Sequence, residues 1–306
     1  MVCPTRKTYT VIQCQSACHR VKGGFPYVWD LNIYRGCIHG CRYCYALYSH
    51  GYIEGGDFYR DIYVKGNIVE RLERQLSHPN WKREVINLGG VTDSYQAIEA
   101  KYRIMPEILK LLIKYKTPAI ISTKSDLVLR DIDLIDELSR ITYINIAATV
   151  TTLDHHLQNL LEPGAVNPHR RFSMLKEFRR TNASTGLHIM PIIPLLTDSA
   201  ENIEHLFVAA KDSRVDYVLP GTLYLRGQTK PAFLNFFRKE FPIQYAEIIK
   251  LYGSKEKNKE YKKILYQKIN RLLAQHGLTT QYKKVMDEKI NKEHFNNQAQ
   301  QMSLDF

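Results

Sequence analysis

The sequence predicts an α/β fold in which six β-strands alternate with helices. Short runs of isoleucine, valine and leucine recur between residues 31 and 219, and such runs are typical of buried strands. Between them lie segments with apolar residues at three- and four-residue steps, which indicate amphipathic helices. This alternation implies a parallel sheet with right-handed crossovers. The predicted strands are Leu31–Tyr34, Val85–Leu88, Ala119–Ser122, Tyr143–Thr149, Leu187–Met190 and a last strand that begins over Val215–Leu219.

The helices between these strands carry recognisable start and stop signals. Asn67 is placed to cap the first helix, and Pro106 suits the first turn of the second. Beyond Gly227 the alternation stops and a basic helical segment follows, for which Gly277 is the predicted stop. We therefore divide the chain into an irregular N-terminal lead-in (1–30), an α/β core (31–227), a helical basic C-terminal extension (228–295) and a flexible tail (296–306).

Composition indicates a soluble protein with a basic surface. Lys and Arg number 43 against 31 Asp and Glu, and the net charge of +12 favours polyanionic partners. No apolar run is long enough to span a membrane, and no secretory signal follows Met1. All six cysteines precede residue 45, whereas a disulfide framework would spread them through the chain. We expect a reduced protein in the cytoplasm, with no membrane partner.

Three of the cysteines lie on one short loop. Cys37, Cys41 and Cys44 follow a Cys-x3-Cys-x2-Cys spacing, and glycines at 36 and 40 permit a tight turn. A structural zinc site normally closes with four protein ligands, commonly two Cys-x2-Cys pairs. A second pair could come only from Cys3, Cys14 and Cys18, since no cysteine follows Cys44. An iron–sulfur cluster held by three thiolates would leave one iron open, and a three-cysteine zinc loop is the alternative.

The Cys-x3-Cys-x-aromatic-Cys pattern, with Tyr43 as the aromatic residue, resembles that of the radical S-adenosylmethionine (radical SAM) superfamily. The resemblance implies a [4Fe-4S] cluster on Cys37, Cys41 and Cys44 whose open iron binds SAM, with Tyr43 near the adenine. It implies reductive cleavage of SAM to a 5′-deoxyadenosyl radical and an electron donor such as flavodoxin or ferredoxin. It also implies a core that is a six-stranded partial (β/α)6 TIM barrel, whose ligands lie at the carboxyl ends of the strands.

The predicted strand ends extend the resemblance. Each is polar or glycine-rich where the strand body is apolar, and the runs Thr92–Gln96, Ser122–Ser125 and Thr151–Asp154 are similar to those of the spore photoproduct lyase-like branch. The similarity runs from about residue 12 to residue 225. It implies that Gly89 and Gly90 contact the SAM amino group, Lys124 its carboxylate and Thr149 its methionine or ribose part. The same resemblance and the polar strand ends add three cofactor-binding candidates, Thr92, Thr151 and Arg171.

One departure from this branch concerns the hydrogen donor. The founding member repairs a thymine dimer and returns a hydrogen atom from a cysteine near the end of strand two. Here Gly90, Val91 and Thr92 occupy that stretch. Tyr95 is one candidate donor, because a phenol can give up a hydrogen atom, and Cys14 is another if the lead-in folds over the barrel mouth.

The basic surface and the tail suggest nucleic acid as the substrate, with DNA favoured. Gln301-Met302-Ser303-Leu304-Asp305-Phe306 resembles the Gln-x-x-Leu-x-Phe peptide that docks repair and replication proteins on the bacterial sliding clamp. The leading hypothesis is a radical SAM enzyme with a DNA-repair-like, lyase-like reaction. Two alternatives stay open: the same chemistry on RNA, a peptide or a small metabolite, and a non-catalytic metal-binding adaptor between nucleic acid and a clamp.

Overall fold

A curved sheet containing six parallel strands forms the centre of the structure. The computed structural model describes residues 7–51 and 56–290. Its strands are β1 (Thr8–Ile12), β2 (Cys18–Arg20), β3 (Trp29–Leu31), β4 (Tyr34–Arg35), β5 (Asp61–Lys65), β6 (Ile86–Leu88), β7 (Ala119–Thr123), β8 (Ile144–Thr149), β9 (Ser184–Ile192) and β10 (Tyr217–Thr222).

The helices follow the strands along the chain, as the crossover pattern predicts. They are α1 (Ile68–Leu76), α2 (Glu99–Tyr102), α3 (Ile104–Lys114), α4 (Ile132–Ile141), α5 (His155–Leu161), α6 (Pro168–Phe178), α7 (Ala200–Asp212), α8 (Thr229–Glu240), α9 (Tyr245–Gly253) and α10 (Lys255–His276). Short 3-10 turns lie at Tyr45–His50 and Asp126–Asp131, and residues 282–290 are also helical.

The main sheet has the order β10-β9-β8-β7-β6-β3-β2. Neighbouring strands from β3 to β10 run parallel, and only β2 at the edge is antiparallel to its neighbour. Among the described residues β10 and β2 are not paired, so the sheet is an open, partial barrel. The predicted fold class is therefore confirmed.

Alternate side chains of each strand face opposite sides of this sheet. One set, including Ile86, Ile121 and Leu187, is fully buried against the helices and forms the main core. Each such side chain contributes roughly 1.5–3 kcal/mol through burial of apolar surface. The other set, which includes Ser122 and His188, lines the inner face of the partial barrel. Polar groups on that inner face are available for a site.

The lead-in is more regular than its sequence suggests. It contributes β1, β2 and the start of β3, and β1 pairs with β5 in a separate three-stranded sheet of order β1-β5-β4. Four of the five β1 residues are exposed, so the strand lacks the apolar alternation that would reveal it. The predicted strand Leu31–Tyr34 is also divided, because β3 ends at Leu31 and β4 begins in the smaller sheet at Tyr34.

The C-terminal helices pack against the barrel. Tyr261 of α10 donates a hydrogen bond to the Asp198 carboxylate at 3.0 Å, and Gly277 ends the helix with φ of 65°. Met286, in the helical residues 282–290, packs with Val85 and Tyr143 near the amino-terminal ends of the strands. No described helix combines the length and the apolar character that a membrane crossing requires.

Candidate functional site

The three closely spaced cysteines lie on a loop at the carboxyl ends of the strands. The loop runs from Gly36, after β4, to Cys44, before the 3-10 turn. Gly36 and Gly40 have φ of 86° and 66°, in the left-handed region that favours glycine. A Cβ atom at Gly36 would also lie 2.9 Å from the Asp61 carbonyl oxygen. Both glycines are therefore needed for the turn that carries the cysteines.

Backbone hydrogen bonds fasten each cysteine to a different part of the fold. One bond is donated by a cysteine amide, and two are accepted by cysteine carbonyl groups from side-chain hydroxyls. Gln96 adds two more, since it accepts from the Ile38 amide at 2.9 Å and donates to the Gly36 carbonyl at 3.2 Å. The loop is thus held independently of any bound group. The Cys37 amide donates to the Phe58 carbonyl (3.0 Å), the Tyr59 hydroxyl donates to the Cys41 carbonyl (2.8 Å), and the Thr229 hydroxyl donates to the Cys44 carbonyl (2.8 Å).

The environment of the thiols disfavours their ionised forms. Burial and the Asp93 charge raise the pKa of Cys37 to about 12, and burial also raises the pKa values of Cys41 and Cys44. Charge on Cys44 further raises the pKa values of the Cys37 and Cys41 thiols. Within residues 7–51 and 56–290, no three His, Cys, Asp or Glu side chains group to hold a single metal ion. Because thiolates are the forms that bind metals, this loop requires a cationic partner to ionise its cysteines.

A buried hydrogen bond between His39 and Asp93 joins the cysteine loop to the end of β6. His39 Nε2 lies 2.8 Å from Asp93 Oδ2, and His39 Nδ1 lies 3.0 Å from the Gly164 carbonyl oxygen. Both neighbours are acceptors, so both ring nitrogens donate when the imidazole is protonated. Burial alone would raise the pKa of Asp93, but His39 and two backbone N–H groups outweigh it and bring the pKa to about 2. The remaining donors to Asp93 are the Thr123 hydroxyl and the amides of Tyr95 and Lys124.

A buried network of polar contacts joins the cysteine loop to β8 and α6. The Tyr43 hydroxyl donates to Glu162 Oε1, and Arg171 Nη2 lies 2.6 Å from Glu162 Oε2 as an ion pair. Arg171 also donates to the Thr149 carbonyl at 2.7 Å and to the Val166 carbonyl at 2.6 Å. Neither charged side chain has exposed surface. Arg171 therefore positions Glu162, and through it Tyr43, while its contact with the cofactor stays a prediction.

Lys124 brings a positive charge to the same place. Its Nζ lies 5.8 Å from the centre of the Tyr43 ring, within cation–π range. Burial opposes the charge, but the nearby Cys41 and Glu162 raise the pKa of Lys124, so the ammonium persists at neutral pH. In the described part of the chain, this ammonium has no hydrogen bond or ion pair. It can accept a carboxylate partner, as the prediction for Lys124 requires.

The predicted residues at the end of β6 lie beside the loop, and the structure gives each a local role. Gly89 has φ of 95°, and a Cβ at Gly90 would lie 2.3 Å from the Asp30 carboxylate. The Gly90 carbonyl accepts from the Tyr45 hydroxyl. Thr92 donates its hydroxyl to the Gly36 carbonyl at 2.6 Å, so this hydroxyl supports the cysteine loop. Contacts of these three residues with SAM stay predictions.

The predicted threonines after β8 differ in how their polar atoms are used. Thr149 lies at the end of the strand, and its carbonyl accepts from Arg171. Thr151 is 1% exposed, and its hydroxyl oxygen has no hydrogen-bond partner among the described residues. The Ser94 hydroxyl after β6 is in the same state. Unpartnered buried hydroxyls of this kind are available to a bound group.

The two candidate hydrogen donors lie in different surroundings. Tyr95 has no exposed surface, and its hydroxyl donates to Asp131 at 3.1 Å within the main core. Cys14 is held at the start of α1, where its sulfur lies 3.2 Å from the Asn67 side-chain oxygen. Asn67 thus binds the lead-in, and its side chain does not cap the helix. Among the described residues neither candidate forms a side-chain hydrogen bond to the cysteine loop, and both roles stay predictions.

The inner face of the barrel carries a row of hydrogen-bonded polar side chains that the sequence analysis did not predict. Asn145 of β8 donates to the Tyr217 hydroxyl oxygen at 2.9 Å, and that hydroxyl lies 3.3 Å from His188 Nε2. Because Asn145 supplies a donor, the Tyr217 hydroxyl is free to donate to His188. Burial, with the Lys124 charge, lowers the pKa of His188 to about 4. His188 is therefore neutral at pH 7 and lies within electrostatic range of Lys124.

His188 predicts a pH dependence of stability. Its imidazole is protonated near pH 6.5 in the unfolded chain but only near pH 4 in the folded one. The free energy of unfolding should therefore fall by about 2 kcal/mol as the pH drops through this window, a value reduced because the ring is partly exposed. Urea unfolding of His188→Gln should lack this loss, whereas the exposed His155→Gln should retain it. Equal pH profiles for wild type and His188→Gln would contradict the assignment.

The residues of the site fit the two groups that the resemblance implies. The donor set is three thiols on one anchored loop, which suits a cluster with one open iron. Lys124 offers an unpaired ammonium, and the Ser94 and Thr151 hydroxyls are buried without partners. Cys37, Cys41 and Cys44 would hold the cluster, and Lys124 would pair with the carboxylate of SAM.

Comparison with known proteins agrees with this geometry. Residues 31–207 match the family model of the radical SAM superfamily, and the chain belongs to that superfamily. The fold is similar to that of spore photoproduct lyase: a structure of spore photoproduct lyase complexed with dinucleoside spore photoproduct has a TM-score of 0.65, at 13% identity over 90% of this chain and 82% of that one. The superfamily implies a [4Fe-4S] cluster and SAM as cofactors, and it indicates an enzyme.

Two relatives are more similar in sequence. An uncharacterized protein of Mycobacterium tuberculosis is 31% identical over 277 residues, which cover 89% of this chain and 82% of the relative. An uncharacterized protein of Methanocaldococcus jannaschii is 31% identical over 218 residues, covering 71% of each chain. The names of these relatives state neither a family nor a substrate.

Several residues that organise the site had no role in the sequence-based prediction. His39 lies within the cysteine motif and Asp93 within the Thr92–Gln96 run, but these two residues are 54 positions apart, and Glu162 is 119 positions from Tyr43. A polar residue inside an otherwise apolar strand was the available signal for Asn145 and His188. Because side chains alternate along a strand, Asn145 and His188, which lie between apolar core residues, face the inner side of the barrel.

Proposed function

We propose that this chain is a radical SAM enzyme acting on nucleic acid, with DNA favoured, in a repair-like and lyase-like reaction. The main observation in support of this proposal is the anchored cysteine loop, with the free Lys124 ammonium beside Tyr43 at the carboxyl ends of the strands. When bound, the cluster and SAM would supply radical chemistry, the one-electron reductive cleavage of SAM to a 5′-deoxyadenosyl radical able to abstract hydrogen.

The chain's own residues hold and orient the reacting groups. Cys37, Cys41 and Cys44 bind the cluster, and the His39–Asp93 pair keeps their loop at the end of β6. Lys124 binds the SAM carboxylate, while the Glu162–Arg171 pair fixes the Tyr43 ring below it. The polar inner face, with His188, offers hydrogen bonds to a substrate that enters the barrel mouth.

Three exposed tyrosines at the barrel mouth support nucleic acid as the substrate. Tyr45 and Tyr48 lie on the 3-10 turn after the cysteine loop, and Tyr224 follows β10 next to Arg226. We call these three residues the aromatic rim. Exposed rings with nearby cations are suited to stacking bases of an unpaired strand. The net charge of +12 also favours nucleic acid. So does the fold, which is similar to that of a lyase whose structure contains a dinucleoside photoproduct.

SAM cleavage in the presence of nucleic acid tests this function. The reconstituted, reduced protein should form 5′-deoxyadenosine, and lesion-bearing single-stranded or duplex DNA should raise its rate above that with RNA or no nucleic acid. Tyr224→Ala should weaken DNA binding by about 1–3 kcal/mol, the range for a base stacked on an aromatic ring. Tyr9→Ala, on the exposed edge of β1, is the matched control. Cleavage that no nucleic acid affects would remove the substrate proposal.

An electron donor and a cellular location follow from the same proposal. Reduction of a cluster requires an electron donor, for which we propose a flavodoxin or a ferredoxin. We also propose a cytoplasmic location, which rests on the clustering of all cysteines before residue 45.

A further proposed partner is the sliding clamp. The peptide Gln301–Phe306 lies outside the described residues, so this proposal rests on its sequence. Phe306→Ala should abolish capture of the protein by an immobilised clamp, because an apolar anchor is lost. The control Asn297→Ala should be captured like the wild type. Failure of the intact protein to bind a bacterial clamp would overturn the proposal.

A further inference from the structure

A cavity of about 390 Å³ lies away from the cysteine loop, on the side of the barrel formed by α1. Trp29 is the first residue of β3, and Trp81 lies shortly before β6, so the cavity is at the amino-terminal ends of these strands. The cysteine loop is attached at the opposite, carboxyl ends. The cavity is therefore a place separate from the site described above. Its other main lining residues are Arg71, Arg74, Gln75 and His78.

The two tryptophans form an apolar wall with fixed edges. Their ring centres are 5.5 Å apart and the planes are inclined by 41°. Trp29 Nε1 donates to Glu84 at 2.9 Å, and Trp81 Nε1 donates to Thr117 at 3.1 Å. The polar edges are already bonded to the protein, and the Arg20 guanidinium lies over the Trp29 ring at 5.9 Å from its centre, so the cavity offers indole surface beside a cation. A flat, apolar group is the complement of such a wall.

Arg71 adds an unpaired positive charge to this wall. Its Nε is buried and has no hydrogen-bond partner, and its guanidinium has no ion pair within the described residues. Arg74, one turn further along α1, is paired at the surface with Glu70 at 3.1 Å. No acidic side chain lines the cavity. A guanidinium presents its donors in a fork that matches two oxygens of a phosphate or a carboxylate.

We propose that this cavity binds a nucleotide unit, with the base against Trp29 and Trp81 and the phosphate on Arg71. The cavity volume lies within the range of small-molecule sites, about 300–1,000 Å³. A base supplies the flat apolar face, and the attached phosphate supplies oxygen acceptors for the unpartnered Arg71 guanidinium. The same chemistry is offered by a free nucleotide and by one nucleotide of an unpaired strand. The site does not depend on the cluster or on SAM.

The chain is well suited to a direct test, because its two tryptophans both line this cavity. Indole fluorescence of the intact, reconstituted protein should be quenched saturably by thymidine monophosphate or by a short oligothymidylate. Thymidine, which has no phosphate, should bind at least about tenfold more weakly, since a charged hydrogen-bond partner is lost. Quenching by the mononucleotide identifies a nucleotide site, and quenching by the oligonucleotide alone identifies a strand-binding site. No quenching by either overturns the proposal.

Variants make the test specific to the cavity. Arg71→Met should weaken binding about tenfold or more, because the guanidinium's paired donors are removed. Arg140→Met, which removes an exposed guanidinium elsewhere, should bind like the wild type. Unchanged affinity in a folded Arg71→Met variant overturns the proposal. Since the titration contains neither SAM nor reductant, its outcome is independent of whether the protein cleaves SAM.

Discussion

Replacing Arg171 with methionine is expected to lower the free energy of unfolding by about 3–5 kcal/mol, the range for removing one partner of a buried ion pair. The variant leaves the Glu162 carboxylate with no exposed surface and without its cation. Burial raises the pKa of Glu162, and the charges of Arg171 and Lys124 hold it below its usual value. Without Arg171 the carboxylate must take up a proton or move. Urea unfolding monitored by circular dichroism measures the loss.

A second substitution separates the ion pair from general packing. Glu162→Gln in the Arg171→Met background should recover part of the stability, because it removes the unpaired buried charge. Arg180→Met breaks an exposed pair with Glu177 and should cost under about 1 kcal/mol. If Arg171→Met were as stable as Arg180→Met, the buried pair would not organise this side of the site.

Asp93→Asn is expected to cost about 2–4 kcal/mol and to reduce the iron bound by the cysteine loop. The carboxylate accepts from His39 and from the amides of Lys124 and Tyr95. The amide nitrogen of asparagine would face an N–H donor in either orientation, so at least one buried donor loses its acceptor. His39 also loses its charged partner. The loop should then be less firmly held at the end of β6.

Iron content and unfolding should therefore change together in this variant. Both are measured on protein reconstituted in parallel with the wild type. Glu107→Gln, which removes one charge from an exposed pair with Lys110, is the control and should leave both unchanged. Normal iron binding by Asp93→Asn would show that the His39–Asp93 pair does not position the cysteines.

The sequence was sufficient for the core fold because the signal there is local. Residues such as Ile121, Ile146 and Leu187 alternate within short strands, and the intervening helices repeat every three to four residues. The cysteine loop was equally clear, since spacing within one loop sets its chemistry. Tyr43 and Lys124 were assigned to the same site from motifs 80 residues apart, and the structure brings them together.

Other features depend on contacts that no local pattern encodes. β1 is an edge strand with mostly exposed side chains, and it pairs with β5 about 50 residues later. The contacts of His39 with Asp93 and of Tyr43 with Glu162 join the cysteine loop to residues 54 and 119 positions away. The Trp29 and Trp81 cavity likewise joins two segments distant in sequence. Periodicity reports which face of an element is buried, but it does not identify partners across the fold.

Electron paramagnetic resonance of the reduced, anaerobically reconstituted protein tests the central account most directly. We expect about four irons and four sulfides per chain, and a reduced-cluster signal that shifts on addition of SAM because SAM binds the open iron. Lys124→Met should need higher SAM concentrations for the same shift, and any of Cys37→Ala, Cys41→Ala or Cys44→Ala should lose the signal. A folded protein that binds zinc in place of iron, or a cluster signal that SAM leaves unchanged, would contradict the account.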